Sequence, residues 1–211
     1  MRLRPTFRRP RSLPTEQCAR PLAGSTKSCW GHFANESALP DAAAARRAIT
    51  FLRNEFPELG AIVLVRDRDD EPERRGGLEQ ARRHNNTHFV IVVGFAVVER
   101  ESWVICGYES LNEGESACLE AERKRLGFDP RFRSHELTAC KNDQAKRSPK
   151  RVLAVLTDGD HNRERRCWRE TPLEVLRDRG KHNGLADYLA EVEQRLAPLI
   201  SGHEMRPVKP C

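Results

Sequence analysis

Two short apolar runs stand out from a chain that is otherwise strongly polar. The first is Gly60-Ala-Ile-Val-Leu-Val65, closing in Arg66-Asp67-Arg68-Asp69-Asp70. The second is Phe89 to Val98, closing in Glu99-Arg100-Glu101. Runs this short, apolar and β-branched read as strands buried on both faces. Before the first run, Ala45, Ala48, Ile49, Leu52 and Phe56 recur at helical spacing, with Asp41 as N-cap and Pro57 and Gly60 as stops. Between the runs, Glu71-Pro72 and Arg74-Arg75-Gly76-Gly77 read as a loop, and Leu78 to Arg83 as a short helix. Two buried strands joined through a helix make a βαβ crossover, and hence a parallel pair. Gly94 marks a bulge or a close approach within the second strand.

The rest of the chain alternates helical patterns with polar connectors. A polar helix is predicted from Leu111 to Leu126, stopped by Gly127. Residues 128–148 read as a loop. Ser148-Pro149 has the form of an N-cap and first helical position, which favours a helix over a third strand at 152–156. Asp158 to Arg166 reads as a charged connector; Asp158-Gly-Asp160 opens like a calcium loop but lacks the further ligands. A short helix over 170–177, a break at 180–184 and a last helix over 185–200 complete the chain. Leu185, Leu189, Val192, Leu196 and Leu199 line one side of that last helix, which predicts that it covers a face of the sheet. The expected class is α/β, a mainly parallel sheet flanked by helices with a helical C-terminal portion. The expected divisions are a poorly ordered basic leader over 1–35, an α/β core over 36–110 and a helical portion over 111–205 packed on it.

Charge refines this picture. The formal net charge is +6, yet residues 1–30 hold seven basic groups against the single acid Glu16, so the remainder is balanced. The basic excess therefore belongs to the leader and does not imply a nucleic-acid surface on the folded body. Seven cysteines without a Cys-x-x-Cys spacing point to reduced thiols and a cytoplasmic location, not to a disulfide framework or a zinc site. The longest apolar run is about half of the ~20 residues a membrane span needs, so no membrane partner is expected.

The candidate chemistry lies where the two runs end. Residues two apart on an extended strand point the same way, so Asp67 and Asp69 form a pair of hard oxygen ligands, with Asp70 beside them. Parallel topology brings Glu101 to the same edge. Two acidic strand ends at one edge suggest a site for Mg²⁺ or Mn²⁺; a single acidic strand end reads equally as a solvated turn. Arg74 and Arg75 are candidate phosphate contacts, against the alternative of a solvated helix face. His84, His88 and His161 share no ligand-like spacing. Trp30, Trp103 and Trp168 read as packing residues, and nothing activates Cys106 as a nucleophile.

A strand ending in Asp67-Arg68-Asp69, then a helix, then a second strand and Glu101-Ser102-Trp103 opening the next helix resembles the Toprim-like domain. More narrowly, it is similar to a bacterial RloB-like group related to the nuclease half of OLD-type systems. The helices after Pro149-Lys150 share the likeness, which covers roughly residues 40–200. The resemblance implies Mg²⁺-dependent phosphodiester cleavage, with Asp67 and Asp69 on the metal and Glu101 as third ligand or orienter. It also implies an ATPase partner of the ABC/OLD type, encoded nearby, in phage defence. One departure is clear. Toprim domains carry a Glu at the end of their first strand, whereas here Glu16 and Glu36 are the only acids before Asp41 and neither follows an apolar run. That departure supports the alternative of a catalytically degenerate adaptor that binds the ATPase or nucleic acid without cutting. Phosphoryl transfer with Asp67 as nucleophile is a third reading.

Overall fold

The computed structural model describes residues 32–33, 36–69, 71–85 and 89–202. The expected leader falls almost wholly outside these residues, as do Trp30, Asp70 and His88. The described chain is α/β. A two-residue antiparallel pair, β1 (His32–Phe33) and β2 (Glu36–Ser37), precedes α1 (Ala42–Glu55). Then come β3 (Ala61–Asp67), α2 (Arg74–Arg83) and β4 (Val90–Ala96). β3 and β4 pair in parallel, with Ala61 opposite Val90 and Asp67 opposite Ala96. Among the described residues the parallel sheet has these two strands alone.

The pleat divides the core. On one face Ile62 and Leu64 of β3 join Ile91 and Val93 of β4 against Ala45 and Ile49 of α1 and Leu78 and Ala81 of α2. These α1 residues lie four apart on one stripe, as the periodicity requires. On the other face lie the C-terminal helices α8 (Leu185–Glu191) and α9 (Ala197–Ser201), joined by a π-helical turn at Val192–Leu196. The helix widens just before Pro198, which has no N–H to continue the α-helical ladder. Tyr188 stacks on Trp103 with ring centroids 5.1 Å apart. Gly94 lies beneath the pair, where a Cβ would stand 2.8 Å from the Tyr188 ring. Of the two expected roles of Gly94, close approach is therefore the operative one.

The expectation that both strands are buried on both faces holds for β4 and fails for β3. Val63 and Val65 point to the C-terminal-helix side but remain 42% and 38% exposed. α8 centres on β4, so β3 is covered on the α1–α2 side only.

After β4 the chain is helical: α3 (Glu101–Cys106), α4 (Glu113–Leu126), a 3₁₀ turn at Ser134–Glu136, α5 (Pro149–Thr157), α6 (His161–Arg169) and α7 (Leu173–Arg179). Ile105, Tyr108, Leu119, Leu126, Val152, Leu153 and Cys167 form a second core. The local signals act where the sequence placed them. Gly127 ends α4 in the left-handed region as expected, whereas the helix starts two residues later than Leu111, where Asn112 caps it by accepting from the Glu115 N–H at 2.8 Å. Ser148 caps α5 with Pro149 at its first position. Two expectations need correction. Asp158 to Arg166 is not a connector, because Asp160 accepts from the Asn162 N–H and starts α6. Asp41 precedes α1 but does not cap it; it is left-handed, with φ 63°, and its carboxylate takes the Arg66 side chain at 2.8 Å.

Candidate functional site at the acidic sheet edge

Parallel pairing puts the C-terminal ends of β3 and β4 side by side. There the Asp67 carboxylate accepts the Arg100 backbone N–H at 3.0 Å, with the Arg100 side chain 3.5 Å away. This contact ties the end of β3 to the start of α3. Glu101 is the first residue of that helix, on the same edge. No hydrogen bond or ion pair among the described residues engages its carboxylate. Asp67 and Glu101 thus lie on the same edge of the sheet.

Asp69 behaves differently. β3 ends at Asp67, and Asp69 is left-handed with φ 47°, so the two-residue alternation does not carry through to it. Its carboxylate is bound by the guanidinium of Arg74. Arg74 also meets Glu71 at 3.0 Å, Asp41 at 3.5 Å and the Asp67 carbonyl at 3.4 Å. Four internal acceptors occupy Arg74, which removes it as a phosphate contact. Arg75 pairs with Asp187 at 2.9 Å on α8, away from the strand ends. Asp70 lies outside the described residues.

Two further groups belong to this edge. Glu99 is 7% exposed, in the turn between β4 and α3. Burial pushes its carboxyl pKa up; Lys150 opposes the shift, and the negative charges of Glu101 and Asp67 add to it. Lys150 projects from the start of α5, 3.6 Å from Glu99 and 3.5 Å from Asp143. The Glu99 charge in turn raises the Lys150 pKa, with smaller contributions from Asp143 and Glu101. The edge is therefore a mixed cluster: Asp67, Glu99 and Glu101 in one electrostatic field, with Lys150 and Arg100 as counter-charges. The sequence shows Glu99 as one acid of a triplet. Nothing local joins it to Lys150, 51 positions later.

Neither family models, curated proteins nor solved structures show a match to this chain.

The donor set bears on which ion the edge suits. Among the described residues, no three His, Cys, Asp or Glu side chains stand close enough to hold a metal ion together. A closed three-ligand cage is therefore not preformed there. Mg²⁺ needs less, because it is commonly held by one or two carboxylates, with waters and substrate phosphate oxygens completing the octahedron. The second oxygen of Asp67 and the Glu101 carboxylate supply hard donors of that kind. Of the histidines weighed as ligands, His84 is near Glu36 and His161 near Glu164. Cys106 is buried in contact with Ser134, Asn183 and the Arg179 carbonyl, and burial raises its pKa, as befits a packed thiol. No described helix is long and apolar enough to cross a membrane.

Proposed function

We propose that the chain is a Toprim-like, Mg²⁺-dependent phosphodiester-cleaving protein that acts beside an ATPase in phage defence. The observation that carries this reading is the placement of Asp67 and Glu101 on the carboxyl edge of a parallel strand pair. That edge is where open α/β sheets present ligand-binding groups. Asp67 and Glu101 would hold the ion. Bound there, Mg²⁺ would offset charge on the phosphate and lower the pKa of an attacking water. Arg100 fixes the Asp67 carboxylate through its backbone N–H. Lys150, held by Glu99, places a cation beside the carboxylates, where an anionic substrate needs one. Asp69 contributes once Arg74 releases it.

A second reading, the non-cleaving adaptor, draws on the Arg74–Asp69 ion pair. An Asp-x-Asp pair with one member already neutralised by an internal arginine has lost half of its charge for a cation.

Calorimetric titration with Mn²⁺ and Mg²⁺, on the wild type and on Asp67→Asn/Asp69→Asn, decides between them, with plasmid DNA and tRNA cleavage measured in parallel. The first reading expects metal binding and cleavage that both disappear in the double variant. Metal-independent binding of nucleic acid or ATPase, with no turnover, would establish the adaptor instead.

A further inference from the structure

Among the described residues, β3 is an edge strand with nothing paired along its outer side. The Val90 N–H donates to the Gly60 carbonyl, and the Arg68 N–H donates to the Ala96 carbonyl. In a parallel ladder this alternation directs the even-numbered residues of β3 toward β4. The N–H and C=O groups of Ala61, Val63 and Val65 therefore point outward, and no described residue pairs with their backbone. Folded proteins blunt such edges with lysine, proline, a bulge or a covering element. The stretch 61–65 holds none of these residue types and runs in unbroken register with β4.

The surroundings are apolar and roomy. Val63 and Val65 are exposed beside the edge, and Leu199 reaches over Gly60, with a gap of 3.3 Å to where a Cβ would stand. On the opposite face a groove of about 400 Å³ runs along β3 and is walled by Ala44, Ala45 and Ala48 of α1. Three alanines keep that wall low.

We propose that β3 pairs with β3 of a second copy of this chain, antiparallel about a two-fold axis at Val63, to make a continuous four-stranded sheet. The register follows from the edge itself. Centred on Val63, the pairing sets Val63 against its counterpart and Ala61 against Val65 in both directions, so every outward N–H and C=O of the three residues enters the ladder. Just past the strand ends it brings Glu58 of one copy alongside Arg68 of the other. Neither side chain makes an ion pair among the described residues. Moving the axis by one residue, to Ile62, also preserves the ladder but sets Glu58 against Arg66, whose side chain Asp41 already holds at 2.8 Å. A cation that makes no other ion pair among the described residues thus favours the Val63 register. The pairing also brings the two α1 helices together in one layer, with their alanines between them. This inference concerns an edge distinct from the acidic cluster and is independent of the reading of that cluster.

Sedimentation equilibrium of the full chain over a wide concentration range tests it. The wild type is expected to approach twice the chain mass. Val63→Lys/Val65→Lys, at two exposed positions, is expected to sediment as a monomer with an unchanged circular dichroism spectrum. Glu58→Arg and Arg68→Glu are each expected to weaken the dimer several-fold, and their combination to restore it. The restoration is specific to the Val63 register. A wild type that stays monomeric at every concentration would overturn the proposal, whether the edge is then bare or covered by residues 1–31. So would a dimer unaffected by both the lysine pair and the charge exchange.

Discussion

Lys150, the second residue of α5, stands 3.6 Å from the buried carboxylate of Glu99 in the turn after β4. This contact joins the helical second core to the sheet edge. It also leaves Glu99 in a field that pulls both ways. Burial, Glu101 and Asp67 favour its protonated form, while Lys150 favours the charged one, and the net shift is upward.

The shift has a definite sign in stability. A carboxyl that binds its proton more tightly when folded contributes stability that is full below its ordinary pKa of 4.5 and lost as pH rises through the raised value. Glu99→Gln removes that dependence. Denaturation midpoints measured from acid to neutral pH are expected to show the wild type losing stability relative to Glu99→Gln as pH rises. A flat difference, or one of opposite slope, would contradict the assignment. The same variant is expected to return the Lys150 pKa toward its ordinary 10.5, followed by amine reactivity against pH.

Arg151 and Glu122 form a bidentate ion pair between α5 and α4, at 3.0 and 2.7 Å, with both side chains buried. Arg151 also donates to the Lys146 carbonyl at 2.6 Å. Breaking such a pair from one side leaves an uncompensated charge in the interior. Arg151→Met is expected to cost about 3–5 kcal/mol in urea unfolding. The double variant Glu122→Leu/Arg151→Met is expected to lose less than the single one. A single-variant loss below about 1 kcal/mol would show that water reaches the pair.

Gly184 sits left-handed, with φ 85°, where a Cβ would run into the Phe95 carbonyl. Both the dihedral angle and the close approach require glycine. Gly184→Ala is expected to destabilise by more than about 2 kcal/mol. Gly127→Ala, equally left-handed but with open space around its Cβ position, is expected to cost less. Thermal unfolding of the two variants separates strain from collision.

The two tyrosines of the chain, Tyr108 and Tyr188, are both raised in pKa by burial. Tyr108 is pushed up to about 12, with the Glu115 charge adding to the effect of burial. A spectrophotometric titration of Tyr188→Phe isolates it. The phenol is expected to ionise well above its ordinary 10.0, and the stability it contributes to be lost between those values. Ionisation near 10 would mean that solvent reaches the ring.

Much of the fold was legible because its signals are local. The α1 stripe, the Ser148 cap, the Gly127 stop and the apolar runs each act within a few residues. The character of β3 was not legible. An apolar run reads alike whether a strand is covered on two faces or one, and coverage depends on where α8 lies 120 residues later. Asp69 was misplaced for a related reason. Alternation holds only while the chain stays extended, and the turn to φ 47° sends its carboxylate to Arg74. At the candidate site, Asp67 and Glu101 could be placed on one edge from topology alone. Glu99 with Lys150 could not, since that pairing is created by packing.

Asn183 is fully buried and binds several places at once. Its carbonyl accepts the Val97 N–H at 2.8 Å and the Trp103 indole at 2.7 Å; its amide reaches the Ser102 carbonyl and Ser134 hydroxyl; its side-chain oxygen takes the Leu185 N–H. These bonds fasten the turn that carries Glu99 and the helix that carries Glu101. During synthesis, α3 leaves the ribosome more than 70 residues before Asn183 does, and β3 and β4 earlier still. The acidic edge must wait for that clasp, so a nascent chain halted short of it carries every carboxylate of the site without the means to hold them in place.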